Sequence, residues 1–121
     1  MPAGPDGIIG VVGRGFWDTA LVTAHFADLG SHIARVRAPA MPVRVLVDLR
    51  GAPPQRPEVT TIVRQATLAL YRPADRVAVV VESSLVKIQM RRILDCSKMT
   101  FFISIAAART WLNAYSGQSA A

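Results

Sequence analysis

The pattern of apolar and polar positions divides this chain of 121 residues into four strand–helix pairs. Short apolar runs rich in β-branched residues predict strands at residues 8–14, 43–49, 76–82 and 99–103. After each run, apolar residues recur three and four positions apart, which is typical of a helix that buries one face. This second pattern predicts helices at residues 19–36, 57–71, 85–94 and 105–115. The predicted order of elements is therefore βαβαβαβα.

The second strand is the predicted centre of the sheet. Residues 43–49 alternate little between apolar and polar positions, so both faces of this strand should be covered. Alternating strands and helices imply a mainly parallel sheet with right-handed crossovers. We therefore expect an α/β fold with a mainly parallel four-stranded sheet and alternating helices. One domain should span residues 8–115, with flexible ends at residues 1–7 and 116–121.

Each predicted helix has an apolar face for packing on the sheet. On the first helix this face consists of Val22, Phe26, Leu29, Ile33 and Val36. On the second it consists of Val59, Ile62, Val63, Ala66 and Leu70. On the last it consists of Ala107, Ala108, Trp111, Leu112 and Tyr115. Short polar side chains before three of the helices predict N-caps, namely Asp18 or Thr19, Ser83 or Ser84, and Ser104.

Composition narrows the class of protein. Apolar residues make up 51% of the chain and charged residues 18%, which is typical of a globular domain. The longest apolar runs are too short to span a bilayer, and the N-terminal residues lack the features of a signal peptide. Cys96 is the single cysteine, so no disulfide framework is possible, and we expect a cytoplasmic protein. The net charge of +6 is spread along the chain.

Four phrases of the sequence resemble the SpoIIAA-like branch of the STAS superfamily, also described as STAS/SEC14-like. They are GFWD at residues 15–18, VLVDLRG at 45–51, RVAVVVESSLVKIQMRR at 76–92 and FFISIAAARTWL at 101–112. The resemblance implies a single STAS-like domain that is not an enzyme, uses no cofactor, and acts by binding a protein partner or a second copy of itself. Some related domains bind lipids or nucleotides.

The chain departs from that family in two places. Regulatory STAS proteins carry a phosphorylatable serine in the loop after a central strand, but the matching loop here, RGAPPQR at residues 50–56, has no Ser, Thr or Tyr. A phospho-switch is therefore not expected. Such domains also often begin with an extra strand, and few residues precede Ile8 here. The edge of the first strand would then be open to pairing in a homodimer.

The candidate contact residues lie in that loop and on the third helix. Arg50, Gly51 and Arg56 follow the central strand, where open α/β sheets bind ligands and where a helix N-terminus favours anions. Lys87 and Arg91 belong to the densest basic segment of the chain. The alternative is that both groups are ordinary solvated surface. Nucleic acid is disfavoured as a partner, because the aromatic residues fall on predicted core positions.

Other polar groups have structural interpretations. His25, Asp28 and His32 share one side of the first helix, but a full metal-ligand set is not evident, and we expect an Asp28–His32 contact there instead. An enzyme would need Glu82 or Ser83 to converge with a histidine. Two hypotheses stay open. One is a non-catalytic protein-interaction domain. The other is a small-molecule or lipid carrier with an apolar cavity and an arginine loop for an anionic head group.

Overall fold

The structure is a computed structural model that describes residues 7–37, 42–94 and 99–114. Its strands are β1 (Ile9–Arg14), β2 (Arg44–Gly51), β3 (Arg76–Val80) and β4 (Met99–Phe102). Its helices are α1 (Thr19–Val36), α2 (Pro57–Leu70), α3 (Ser84–Leu94) and α4 (Ile105–Ala114). The predicted order of elements is confirmed. The expected flexible ends, apart from Gly7, lie outside the described residues, as do Cys96 and Tyr115, the last residue predicted on the apolar face of the fourth helix.

The four strands form a single parallel sheet in the order β1-β2-β3-β4, which confirms the predicted α/β class. A right-handed crossover between neighbouring parallel strands places its helix on a fixed side of the sheet. Three successive crossovers in one direction therefore place α1, α2 and α3 on the same face. The last helix, α4, has no following strand and packs on the opposite face, over β2, β3 and β4.

This arrangement produces two cores of unequal size. The larger core, under α1, α2 and α3, is built on inward side chains of the sheet that include Ile9, Val11, Val45, Val77 and Val79. The smaller core, under α4, consists of Ile8, Leu46, Ala78, Val80, Ala108 and Leu112. The most completely covered strand is β3 rather than β2. On β2 the first half is buried on both faces, but Asp48 is only half-buried and Arg50 is exposed, because α4 does not cover the end of this strand.

Helix faces were predicted well except at single positions. Val36 is 48% exposed, so the apolar face of α1 ends at Ile33, one turn before the helix does. Ala107 is exposed on α4, where Ala108 and Leu112 are one turn apart and face the sheet. Thr67, which no prediction placed in the core, is buried on α2. Its hydroxyl donates to the carbonyl of Val63 (2.7 Å), which satisfies the polar group within the helix.

The predicted N-caps are confirmed by the hydrogen bonds that they make. Asp18, Ser83 and Ser104 each precede a helix and accept from the backbone N–H of its third residue, at 2.7, 3.2 and 3.2 Å. Thr19 and Ser84, the alternative cap candidates, are instead the first residues of α1 and α3. Pro57 begins α2, as expected of a residue that has no N–H to satisfy.

A buried carboxylate joins the two connecting segments that lead into the amino ends of β2 and β3. Asp75 accepts from the backbone N–H groups of Val43 and Arg72, both at 2.8 Å. The guanidinium of Arg37, which caps the end of α1, donates to both oxygens of this carboxylate at 3.2 and 2.9 Å. Only 1% of the Asp75 side chain is exposed. Burial raises the pKa of Asp75, but the bonds from Arg37, Arg72 and Val43 outweigh burial and lower it.

Replacement of this carboxylate should be costly. We expect Asp75→Asn to reduce the free energy of unfolding by roughly 3–5 kcal/mol, because it leaves the buried Arg37 guanidinium without a counter-charge. Urea denaturation measures this change. Asp48→Asn is a matched control, since its pair with Arg50 (2.8 Å) faces solvent and its loss should cost much less. Equal losses in the two variants would contradict this assignment.

The same substitution should change how stability depends on pH. Because folding lowers the pKa of Asp75, its contribution is complete above the ordinary carboxyl pKa of about 4 and is lost as the pH falls through the lower folded pKa. The wild-type protein should therefore lose more stability than Asp75→Asn on acidification below about pH 4. Parallel stability–pH curves for the two proteins would show that the folded carboxylate is not specially stabilised.

Candidate functional site

A cavity of about 320 Å³ lies between the sheet and the three helices on its larger face. Its inner walls are apolar. They include Phe26, Leu29, Val47, Val63, Val77, Val79, Met90 and Met99. These side chains belong to all three helices and to the strands beneath them, so the cavity extends into the larger core.

The cavity reaches the surface at the carboxyl ends of β1 and β2. Leu21 lies at this rim and is 55% exposed, and Trp17, Gln55 and Thr60 line the same region and are half-buried. These residues belong to the first turns of α1 and α2 and to the loops before them. This is the position at which open α/β sheets generally bind ligands, and at which a contact site was predicted.

Gln55 holds the rim together. Its side-chain oxygen accepts from the backbone N–H of Trp17 (2.8 Å). Its amide nitrogen donates to the carbonyls of Gly15 (2.9 Å) and Pro53 (2.8 Å). The loop after β2 is thus tied to the loop after β1. Sequence reasoning missed Gln55, because a glutamine in a proline-rich turn carries no signal of partners about 40 positions away.

Gly13 makes room for the aromatic ring at the rim. A Cβ at this position would lie 2.5 Å from the ring of Trp17 and 2.7 Å from Leu49, so any side chain there would force these neighbours to shift. The indole N–H of Trp17 donates to the carbonyl of Arg14 (3.0 Å), which fixes the ring across the end of β1. The absence of a side chain at Gly13 therefore allows the Trp17 ring to pack at the rim.

The polar groups in the cavity wall are uncharged. Burial lowers the pKa of His25 and the charge of Asp28 opposes this, so His25 is neutral at pH 7. Burial and the carboxylate of Asp75 raise the pKa of Tyr71, against a lowering effect of Arg37, so the phenol stays protonated. Thr60 and Thr67 also line the wall, and each donates its hydroxyl proton to a carbonyl of its own helix turn.

The predicted contact residues of the loop do not line this cavity with their side chains. Arg50 donates to both oxygens of Asp48 (2.9 and 2.8 Å) on the face of the sheet that carries α4, and this bond lowers the pKa of Asp48. Gly51 accepts from the N–H of Gly15 through its carbonyl (3.0 Å). Arg56 is exposed and precedes α2. The loop contributes to the cavity through Gln55 instead.

The basic residues of α3 stay separate from the loop. Lys87 is half-buried and Arg91 is exposed, and both lie on a helix of the larger face. Arg50 points to the opposite face of the sheet, so the two groups do not form one basic surface. The expected contact site is therefore divided between two sides of the molecule.

Most of the histidine, glutamate and serine side chains singled out above lie outside the cavity wall. His25 lines the cavity, but Glu82, Ser83 and His32 are not part of its wall. The charge of Asp28 acts on His25, whose pKa it raises against the effect of burial. The expected contact between Asp28 and His32 stays a prediction. Within residues 7–37, 42–94 and 99–114, no three His, Cys, Asp or Glu side chains are grouped as metal ligands would be.

The fold belongs to the SpoIIAA-like α/β class. The chain is similar to the crystal structure of an uncharacterized DUF3478-family protein with a SpoIIAA-like fold from Shewanella loihica PV-4, with a TM-score of 0.64. The match covers 85% of this chain and 82% of that one at 17% identity, which shows the fold alone. The resemblance to SpoIIAA-like domains is thus confirmed as a resemblance of fold.

Other comparisons add no further relative. No protein-family model matches the chain, and no curated protein matches it. No helix among the described residues has the length and apolar character needed to cross a membrane.

Substitution of Gly13 should disturb the rim selectively. We expect Gly13→Ala to displace the Trp17 ring and to cost roughly 1–3 kcal/mol of unfolding free energy, as overpacking does. Gly10→Ala is the matched control on the same strand, since a Cβ there meets nothing within 4 Å. Denaturation gives the energies, and near-ultraviolet circular dichroism reports the tryptophan environment. A Gly13→Ala protein as stable as Gly10→Ala would rule out this packing role.

Proposed function

We propose that this protein is a non-catalytic binding domain that holds a small, uncharged, mainly apolar molecule in the cavity. The observation that supports this proposal is the cavity itself. Its volume of about 320 Å³ falls within the range of ligand pockets, roughly 300–1,000 Å³. Its walls are apolar, it contains a few polar groups, and it opens at the carboxyl ends of two parallel strands.

The volume sets the size of the molecule. An engineered apolar cavity of about 150 Å³ holds one benzene, which has six carbon atoms. The cavity here is about twice as large, so it suits a molecule of about a dozen non-hydrogen atoms. A complete phospholipid is much larger than this. The proposal therefore favours a small molecule over a lipid with two acyl chains.

The charges favour an uncharged ligand over an anionic one. Arg50 is engaged with Asp48 on the other face of the sheet. Arg14 belongs to the rim, but its side chain lies across Gly51, where a Cβ would be 3.3 Å from the Arg14 Cγ. The inner wall carries a neutral histidine, a protonated phenol and two threonine hydroxyls. The positions of these side chains therefore do not support an anionic head group as the ligand of this cavity.

A binding role without catalysis fits the polar groups of the wall. Nucleophilic catalysis needs a nucleophile, a base that contacts it and a group that orients the base. Here the threonine hydroxyls donate to the helix carbonyls of Arg56 and Val63. His25 packs edge-on against Phe26, with ring centroids 5.2 Å apart. The wall residues are thus engaged in packing and helix bonds.

A cavity-filling variant tests the proposal. Val63 lines the cavity from α2, and Val63→Phe should fill part of the space and weaken binding of naphthalene by about tenfold or more. Amide chemical-shift titration by nuclear magnetic resonance measures the affinity and locates the ligand. Leu68→Phe is the matched control, because Leu68 is on the same helix and is 50% exposed.

Each outcome of this titration is informative. Shifts at the cavity residues in the wild type and in Leu68→Phe, but not in Val63→Phe, would support the proposal. Naphthalene that shifts no cavity residue in the wild-type protein would contradict it. Native mass spectrometry of freshly purified protein would detect a natural ligand that co-purifies in the cavity.

A second candidate function is binding of a protein, including a second copy of this chain. The observation that favours it is on α3, where Leu85 and Ile88 are 65% and 53% exposed. They are three positions apart and so share one side of the helix, with Lys87 and Arg91 on the same helix. An apolar pair near cations is suited to a partner with an apolar centre and acidic surroundings.

Binding of a second copy of this chain can be tested with the purified protein alone. We expect the sedimentation coefficient of the wild type to rise with concentration, and that of a Leu85→Ser, Ile88→Ser variant to stay at the monomer value. Both side chains are exposed, so the variant should fold normally. If the wild-type protein stays monomeric at millimolar concentration, self-association through α3 is ruled out.

A further inference from the structure

We propose that the cavity selects a planar aromatic molecule with a hydrogen-bond donor, of the size of a naphthol or an indole, and that the Thr67 hydroxyl oxygen accepts this bond. This inference rests on the proposed function, because it names the class of ligand for the same cavity. Three features of the wall support it. The hydroxyl proton of Thr67 is already donated within α2, His25 and Tyr71 each combine a donor with an acceptor, and the wall contains aromatic and sulfur side chains.

The first feature is the bonding of Thr67. This residue lines the cavity and is 2% exposed. Its hydroxyl has one proton and two acceptor lone pairs, and the proton is donated to the carbonyl of Val63 at 2.7 Å. The Thr67 hydroxyl oxygen can therefore still accept a hydrogen bond, but the hydroxyl has no proton left to donate. The hydroxyl of Thr60, nearer the rim, likewise donates its proton within the protein, to the carbonyl of Arg56 at 3.1 Å, so it too can only accept from a ligand.

A ligand that donates gains more from this wall than one that only accepts. Its N–H or O–H can pair with the Thr67 oxygen, whereas an acceptor atom in the same place would be buried without a partner. His25 is a neutral imidazole and Tyr71 a protonated phenol, so each combines a donor with an acceptor and neither favours one kind of ligand. The threonines, and not His25 or Tyr71, therefore set the preference.

The aromatic preference follows from the side chains that line the same cavity. Phe26, Trp17 and Tyr71 bring three aromatic rings to the wall, and Met90 and Met99 bring two thioethers. Aromatic rings pack favourably edge-on with one another, and sulfur contacts ring edges favourably. Space for about a dozen non-hydrogen atoms accommodates two fused rings with one substituent.

The test compares two ligands of the same shape on two proteins. 2-Naphthol and 2-methylnaphthalene differ in having a hydroxyl or a methyl group at one position. Thr67→Val keeps the shape of the side chain and removes its oxygen. We expect the ratio of the affinities for naphthol and methylnaphthalene to fall about three- to tenfold in Thr67→Val, which is the loss of one hydrogen bond. Isothermal titration calorimetry measures all four affinities.

Thr61→Val is the matched control. Thr61 is on the same helix, donates to the carbonyl of Pro57 at 2.9 Å, and is exposed outside the cavity wall. This control should keep the wild-type ratio. Equal ratios in wild type and Thr67→Val, with both ligands bound, would overturn the inference and leave the proposed function standing. Failure of the wild type to bind either ligand would overturn both. Tighter binding of 1-decanol than of 2-naphthol would overturn the aromatic preference.

Discussion

The handedness of the connection between neighbouring parallel strands is the constraint on which the rest of this structure depends. The strands follow one another in the order β1-β2-β3-β4, so three right-handed crossovers stack α1, α2 and α3 on one face. The other face is left to α4 alone. Because three helices must share one side of a four-stranded sheet, that side has a deep core with a gap in it. The other side has a thin core and an exposed end near Val12, which is 61% exposed.

The two ends of the sheet have different roles. At the amino ends of β2 and β3, the carboxylate of Asp75 ties together the connecting segments through Arg37, Arg72 and Val43. A charge buried with its counter-ion and two N–H donors holds these segments in one geometry. At the carboxyl ends, the loops are joined by the side chain of Gln55, and the cavity opens between them. The rigid polar network is therefore separated from the proposed binding site by the length of the strands.

The carboxyl end of β2, where the sequence predicts the start of a loop, illustrates how strand alternation separates chemistry that is adjacent in sequence. Leu49 faces the cavity, and Arg50, the next residue, faces the opposite side of the sheet and pairs with Asp48. A loop that looks like an arginine-bearing contact site therefore divides into two surfaces. On the cavity side, this segment contributes the side-chain amide of Gln55, which bonds to backbone groups, and the apolar side chain of Leu49. This is why the structure favours an uncharged occupant, although the chain as a whole has a net charge of +6.

Local sequence determined the elements of this protein, their order and their caps. The 3.6-residue period, the capping side chains of Asp18, Ser83 and Ser104, and Pro57 act within a few residues, so they can be predicted without any tertiary contact. Only the tertiary structure decided the order of the strands, the burial of Thr67, and the roles of Asp75 and Gln55. The partners of these two side chains include groups 32 to 40 positions away, and no local pattern reports them. The cavity is likewise a property of how three helices meet the sheet, which residue spacing alone does not describe.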